Sequence, residues 1–333
     1  MRVVSLLPSG TEVVCLLAAS AAGSVRLVGR SHECDFPADG TLDQVPVLTA
    51  PRTRFESSFQ VDQAVREALA AGQSLYTLDT KQLEALKPDV IVTQDLCEVC
   101  SIDLATVRAA AQAMDPRPAI VSLNPTTLEG MMDDVMTVGR ALGLHPAARE
   151  VVVRLRERLY RAEEFVNPYD AKPRVAFIEW TAPLFAAGHW TPQLIERAGG
   201  LHPLNPTLPA QGAGAGAGPI GQTLRAAGRS IAVTPEALVA SEPDRVIVCP
   251  CGLGLEQTRR EFGVLSREPW WRKLPAARTR EPGCVALVDG NQYFNRPGPR
   301  LVDAFEFLVG WLNGRPGVIP HGFAWEPWTV GTR

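Results

Sequence analysis

Two stretches of this chain, far apart in sequence, follow one grammar. "LDTKQLEALKPDVIVTQDLCEVC" (residues 78–100) and "VTPEALVASEPDRVIVCPCG" (residues 233–252) each read as a short helix, the dipeptide Pro-Asp, a strand containing "VIV", and a cysteine-bearing loop. A weaker echo pairs "RVVSLLPSGTEVVCLLAASAAG" with "RVAFIEWTAPLFAAGHWTPQLIERAGG", each a basic residue, a buried strand, a loop and a helix ending in Gly. A repeated plan of this kind implies two halves built alike. The 333 residues suit that reading, since single cores stop growing at about 250–300 residues.

Strands alternating with helices imply a parallel sheet in each half. The expected strands are residues 2–7, 27–29, 89–93 and 118–122 in the first half, and 174–179, 245–249 and 284–288 in the second. Pro8, Ser9 and Gly10 introduce a helix from about Thr11. Between the halves, residues 145–166 place Val151, Val152, Leu155, Leu159 and Phe165 at helical spacing among many charges, with Pro146 near a helix start. One long helix joining two lobes is the simplest account. The expected fold is therefore α/β: two Rossmann-like lobes with parallel sheets, bridged by one long helix. The boundaries are 1–142 for the first lobe, 143–168 for the connecting helix, 169–315 for the second lobe and 316–333 for an extended tail lying on the surface.

Composition narrows the function. Charged residues make up 21% of the chain and the net charge is -3, which gives no basic surface for a phosphate backbone, so nucleic acid is not expected as a partner. No run of 18 apolar residues occurs, so no transmembrane segment is expected. "PSGTE" interrupts the only apolar run near the N-terminus, so the sequence as written reads as cytoplasmic, with an extracytoplasmic location as the alternative if the true start lies upstream. The tract "AQGAGAGAGPIG" lacks the lysine of a phosphate loop and reads as a mobile surface loop. Neither G-x-S-x-G nor H-E-x-x-H is present, and the chain is not expected to be an enzyme.

Seven cysteines are too many to ignore and too odd a number for a disulfide framework. Cys15 and Cys284 fall within apolar patterns and read as structural. Cys34, Cys97, Cys100, Cys249 and Cys251 follow apolar runs in polar or Pro/Gly-containing stretches. Ligands of open parallel sheets sit beyond the carboxyl ends of the strands. That rule collects "SHECDFP", "TQDLCEVC", "EWTAPLFAAGHW", "CPCG" and "DGNQYFNRPGPR" around one cleft between the lobes.

Two kinds of chemistry meet in those segments. His32, Cys34, Cys97, Cys100 and Cys251 form a candidate metal set, because imidazole and thiolate suit zinc, iron or cobalt and C-x-x-C is a common ligand spacing. The C-x-x-C also fits buried thiols or a redox pair that opens a helix. Cys249 and Cys251, one residue apart, are expected to alternate, with Cys251 facing outward. Trp180, Phe294, Tyr293 and Trp190, with Glu179, Arg296 and His189, form a candidate binding set, since aromatic faces suit a large planar ligand. Phe185 and Phe305 read as core, and His145 and His202 as solvated.

"RVVSLLPSGTEVVCLL", "LVGRSHECDFP", "LEALKPDVIVTQDLCEVC", "PEALVASEPDRVIVCPCG" and "LVDGNQYFNRPGPRLVDAFEFL" together resemble the helical-backbone class of ABC-transporter substrate-binding proteins, within it the cobalamin- and iron-siderophore-binding group. The resemblance covers roughly residues 1–312. It implies a class III periplasmic-binding-protein-like fold, a cobalamin or other metal-containing ligand gripped by aromatic side chains in the inter-lobe cleft, and an ABC permease as partner if the chain is exported. A cytosolic metal- or thiol-dependent enzyme using the Cys/His cluster is the alternative.

Overall fold

The computed structural model describes residues 1–21, 23–52, 57–95, 102–209, 225–279 and 283–329. The chain forms two compact units. The first comprises Met1–Glu56, Gln60–Pro125 and Glu129–Arg156, and the second Ser57–Phe59, Thr126–Leu128 and Glu157–Arg333.

In chain order the first half runs β1 (Arg2–Ser5), α1 (Pro8–Ala18), β2 (Arg26–Arg30), β3 (Thr49–Pro51), α2 (Ser58–Ala70), β4 (Tyr76–Leu78), α3 (Thr80–Leu86), β5 (Val90–Gln94), α4 (Leu104–Gln112), β6 (Ala119–Leu123), α5 (Leu128–Ala141) and α6 (His145–Glu163); Ser58 and Phe59 of α2, Leu128 of α5 and α6 from Glu157 belong to the second unit, and the rest to the first. Its main sheet has the order β2-β1-β5-β6, parallel throughout. Every residue of β5 is buried, as a strand covered on both faces requires. Val4, Leu6, Val28, Leu83, Ile91, Ile102 and Val107 fill the core. β3 and β4 pair as a separate antiparallel ribbon.

Helix α1 starts three residues before the expected Thr11, because Pro8 occupies its first turn with a fixed, helix-compatible φ. Gly10 lies where an added Cβ would approach Val92 Cγ1 to 2.8 Å, so only glycine lets α1 pack this closely on β5.

The second unit contains β7 (Val175–Thr181), β8 (Leu184–Ala186), α7 (Trp190–Arg197), β9 (Leu208–Pro209), β10 (Arg225–Ala226), β11 (Ile231–Ala232), α8 (Pro235–Ala240), β12 (Arg245–Val248), α9 (Leu255–Leu265), α10 (Pro275–Arg278), β13 (Val285–Val288), α11 (Leu301–Leu312) and β14 (Trp325–Trp328). The sheet order is β11-β8-β7-β12-β13-β14. β7, β12 and β13 are parallel, and the flanking β8, β11 and β14 are antiparallel to their neighbours. Val246, Val248, Phe262, Trp271, Val285 and Leu287 lie in its core.

The repeated grammar is a repeated structure. In the first unit Asp89 Oδ2 accepts the Arg2 backbone N–H at 2.6 Å, and Arg2 Nε donates to the Leu86 carbonyl at 2.8 Å. In the second unit Asp244 Oδ2 accepts the Arg174 N–H at 2.8 Å, and Arg174 Nε donates to the Ser241 carbonyl at 2.6 Å. Lys87 and Glu242, each just before the Pro-Asp, both adopt φ +44° and end their helices in the left-handed conformation.

The extended C-terminal segment contributes an edge strand to the sheet, with Trp325–Trp328 pairing antiparallel with β13. Pro327 is tolerated there because an edge strand can leave one side unpaired. Phe165 lies beyond the end of α6 and is 44% exposed, whereas Val151, Val152, Leu155 and Leu159 are buried as expected. His202 is 1% exposed rather than solvated, its Nδ1 lying 3.2 Å from the Asn205 carbonyl. The Ala/Gly tract lies outside the described residues.

Candidate functional site

In the first unit the carboxyl end of β2 opens into Ser31-His32-Glu33-Cys34. The Thr49 hydroxyl donates to Ser31 Oγ at 3.1 Å. Its oxygen then accepts the His32 backbone N–H at 3.1 Å and faces His32 Nδ1 at 2.7 Å. One hydroxyl proton cannot serve both neighbours, so this arrangement puts the imidazole proton on Nδ1, while Nε2 lies 3.9 Å from Glu33 Oε1. Burial lowers the His32 pKa, which favours that neutral ring. Tyr76 packs against it, with ring centroids 5.6 Å apart.

Cys34 takes a different direction. It is 4% exposed, and its Sγ lies 3.0 Å from Thr11 Oγ1 on α1. Its carbonyl accepts from Arg30 Nη1 at 2.9 Å. His32 thus engages Thr49 and Tyr76 on the β3–β4 ribbon, while Cys34 turns into the interior under α1. Cys97 and Cys100 lie outside the described residues. At the ends of β5 and β6, Asn124 Oδ1 accepts the Asp95 N–H at 2.6 Å. Nothing in the local sequence singled out Asn124.

In the second unit β7 ends in Glu179-Trp180-Thr181. Glu179 is half-buried, and both its oxygens lie 2.9 Å from Ser230 Oγ, which donates to the carboxyl. Burial pushes the Glu179 pKa up to about 7, against the opposing hydrogen bonds from Ser230 and the Gly188 N–H. The Trp180 indole N–H is shared between the carbonyls of Ser58 and Ala182, each at 3.2 Å. Ser58 Oγ in turn donates to Glu261 Oε2 at 2.5 Å, and the Thr181 hydroxyl lies 2.7 Å from the same oxygen. Ser58, Ser230 and Glu261 were missed in the sequence because each is more than 50 residues from the group it supports.

The C-P-C pair alternates as its spacing requires. Cys249 is fully buried and its thiol is held well above the usual range, chiefly by burial; Cys251 is partly exposed. The Cys251 N–H donates to the Glu179 carbonyl at 3.0 Å, joining the ends of β7 and β12.

His189 adopts φ +54° and ψ -121°, a region that β-carbon-bearing residues rarely occupy, and its N–H donates to the Gly228 carbonyl at 2.7 Å. An added Cβ on the preceding Gly188 would come within 2.3 Å of the Arg229–Ser230 backbone, so that glycine permits the close approach that brings Ser230 to Glu179. The half-buried His189 ring stacks on Trp190 at 5.5 Å, and its pKa is lowered by burial and by Arg229.

Four of the expected binding residues are interior. Phe294 is 1% exposed and packs edge-on against Phe177 at 5.0 Å. Trp190 is 7% exposed and donates its indole N–H to the Phe294 carbonyl at 2.7 Å. Tyr293, at φ +42°, stacks on Phe323 with centroids 4.0 Å apart, and Arg296 is also buried. Tyr293, Phe294 and Arg296 followed a strand end in sequence, but the return into α11 folds them inward; Trp190 is buried as the first residue of α7. Glu179, Trp180, His189 and Cys251 retain partial exposure. Among the described residues, no group of three or more His, Cys, Asp or Glu side chains is placed to hold a metal ion. No described helix is long and apolar enough to cross a membrane.

Residues 3–281 match the periplasmic binding protein family. Three solved structures share the fold. A periplasmic heme binding protein from Pseudomonas aeruginosa aligns with a TM-score of 0.64 at 20% identity, covering 98% of this chain and 95% of that one. The periplasmic vitamin B12 binding protein of Vibrio cholerae aligns with a TM-score of 0.59 at 16% identity, over 95% and 97%. An ABC transporter substrate-binding protein from Listeria monocytogenes aligns with a TM-score of 0.63 at 14% identity, over 93% and 98%. No curated protein matches the sequence. The α/β architecture with parallel sheets is therefore that of class III periplasmic binding proteins.

Proposed function

The chain belongs to the periplasmic binding protein family, and on that premise we propose that it binds a planar, metal-containing ligand of the heme or corrinoid class at its strand-end loops. The observation that carries this reading is His32. Its Nδ1 is engaged by Thr49 and burial lowers its pKa, which favours the neutral ring whose Nε2, on the side of Glu33, can serve a metal centre as a donor. Trp180, whose indole N–H is fixed by two carbonyls, supplies an aromatic surface of the kind that flat macrocycles favour. Glu179, His189 and Cys251 add polar and soft contacts at neighbouring strand ends.

The fold neighbours support the class of ligand: one is described as a heme binding protein and another as a vitamin B12 binding protein. Delivery to an ABC permease follows from the same reading, since a further neighbour is described as an ABC transporter substrate-binding protein. The catalytic alternative has less support, because the family and the fold neighbours are described as binding proteins.

The test is the visible spectrum and metal content of the purified chain, before and after addition of hemin or cobalamin. A shifted, saturable Soret or corrin band supports the proposal. Tightly held zinc with no response to either macrocycle would replace it with a metalloprotein reading.

A further inference from the structure

Two carboxyl groups stand at the carboxyl ends of parallel strands in the second unit, Glu179 on β7 and Asp289 after β13, and they are engaged to different degrees. Asp289 is 8% exposed; its Oδ2 accepts the Leu255 N–H at 3.3 Å and its Oδ1 the Asn291 N–H at 2.9 Å. Glu179 keeps partial exposure, and its carboxyl receives the Ser230 hydroxyl and the Gly188 N–H. A carboxylate offers about four lone-pair sites, so Glu179 can still accept hydrogen bonds from a bound molecule.

Its surroundings hold it in place. The Asn205 side-chain amide donates to the carbonyls of Ala187 and Arg229, each at 3.0 Å, and so pins together the two turns that carry Gly188 and Ser230. The His189 N–H adds a bond to the Gly228 carbonyl across the same two turns. Neither basic side chain of these turns neutralises the carboxylate strongly. His189 is biased toward its neutral form by burial and by Arg229, and Arg229 itself is exposed, where water and salt weaken its reach.

From this arrangement we infer that Glu179 is a specificity-determining residue that selects macrocycles by their edge groups, accepting uncharged N–H donors such as carboxamides and rejecting carboxylates. The inference rests on the reading that the strand-end loops bind a ligand of the heme or corrinoid class. A carboxamide edge donates its N–H to the remaining lone pairs of a fixed carboxylate. A carboxylate edge has no proton to offer and meets like charge where water screens it poorly. Hemin carries carboxylates at its edge and a corrin ring carries carboxamides, so the corrinoid is the preferred class.

The test holds the ring constant. Hemin and its bis-amide, in which the propionates are converted to primary amides, are titrated into the folded full-length chain and followed by visible absorbance. The pH is 8.5, above the value of about 7 to which burial raises this carboxyl. The parent chain should bind the bis-amide about tenfold more tightly than hemin, the scale of one hydrogen bond to a charged group. Glu179→Gln, similar in shape but uncharged and able to donate, should reduce the preference to about twofold or less, chiefly by tightening hemin. Glu179→Asp, which withdraws the charge by one methylene, should lessen the preference without reversing it, and serves if the glutamine variant does not fold. A parent chain that prefers hemin, or a preference left unchanged by both substitutions, would overturn the inference while leaving the macrocycle reading intact. Failure of hemin, its bis-amide and cobalamin all to bind would remove that reading and this inference with it.

Discussion

Asp89 holds the backbone N–H of Arg2 at 2.6 Å, and the second unit repeats the arrangement with Asp244 and Arg174 at 2.8 Å. In each case a strand that enters the sheet is aligned by the aspartate that precedes its parallel neighbour. Removing either carboxylate should cost about 1.5 kcal/mol, the low end of the range for a hydrogen bond to a charged group, since both bonds are exposed. Asp89→Ala and Asp244→Ala, measured by urea unfolding, should be of similar size. A cost from one and none from the other would end the claim that the two units share this device.

The clasp around Trp180 has a different signature. Ser58 is fully buried, and its hydroxyl and that of Thr181 converge on Glu261 Oε2. Glu261→Ala would leave the buried Ser58 hydroxyl without its acceptor, while Thr181 could still donate to Ser58 Oγ at 2.8 Å, a loss of about 1–2 kcal/mol. Because Ser58 also supplies a carbonyl to the Trp180 indole, the variant should shift tryptophan emission. Unchanged emission and unchanged stability would show that the clasp does not position the ring.

Acid sensitivity should be traceable to His202. Burial lowers its pKa from 6.5 to about 4, so the unfolded chain binds a proton more readily than the folded one between those values. Stability should therefore be lost as pH falls from about 6.5 toward 4, by up to about 3 kcal/mol from this residue. Glu179 has the opposite slope: its pKa is raised to about 7, so its contribution is complete below the unfolded value near 4.5 and is lost as pH rises through 7. Unfolding curves of His202→Asn at pH 4 and 6.5, and of Glu179→Gln at pH 5 and 8, separate the two. Each variant should flatten its own limb of the profile.

The C-terminal strand should be indispensable to the second unit. Trp328 packs against Phe262 at 5.3 Å and Trp271 at 6.2 Å, and Trp325 against Phe307 at 5.2 Å. Trp328→Ala should cost about 3 kcal/mol by loss of buried aromatic surface. A thermal midpoint equal to that of the parent chain would contradict the packing role.

Much of this architecture could be read directly from the residues. Pro-Asp followed by a "VIV" strand located β5 and β12, and the apolar runs located β1, β6, β7 and β13 within a residue or two. The edges of the second sheet could not be read this way. β8 and β11 are two or three residues long, and β14 hides behind Pro327 and two tryptophans, a pattern that only pairing with β13 turns into a strand. Site residues were legible by position but not by direction. His32 and Cys34 are two residues apart, and tertiary packing sends one to Thr49 and the other beneath α1. Phe294 followed a strand end as Trp180 did, yet the turn at Tyr293 folded it into the core.

The proposal rests first on His32, in the first unit, as a donor to a metal-containing macrocycle, and Trp180, in the second unit, is tested as a contact in its own right. Titrating the purified chain with hemin and with cobalamin, followed by visible absorbance, tests it most directly alongside His32→Ala, Trp180→Ala and Thr49→Val. Saturable binding of at least one macrocycle is expected, abolished or strongly weakened by the first two changes. Thr49→Val, which removes only the group that orients the imidazole, should weaken it by about tenfold. Failure of both macrocycles to bind, or binding that is the same in all four proteins, would contradict the account.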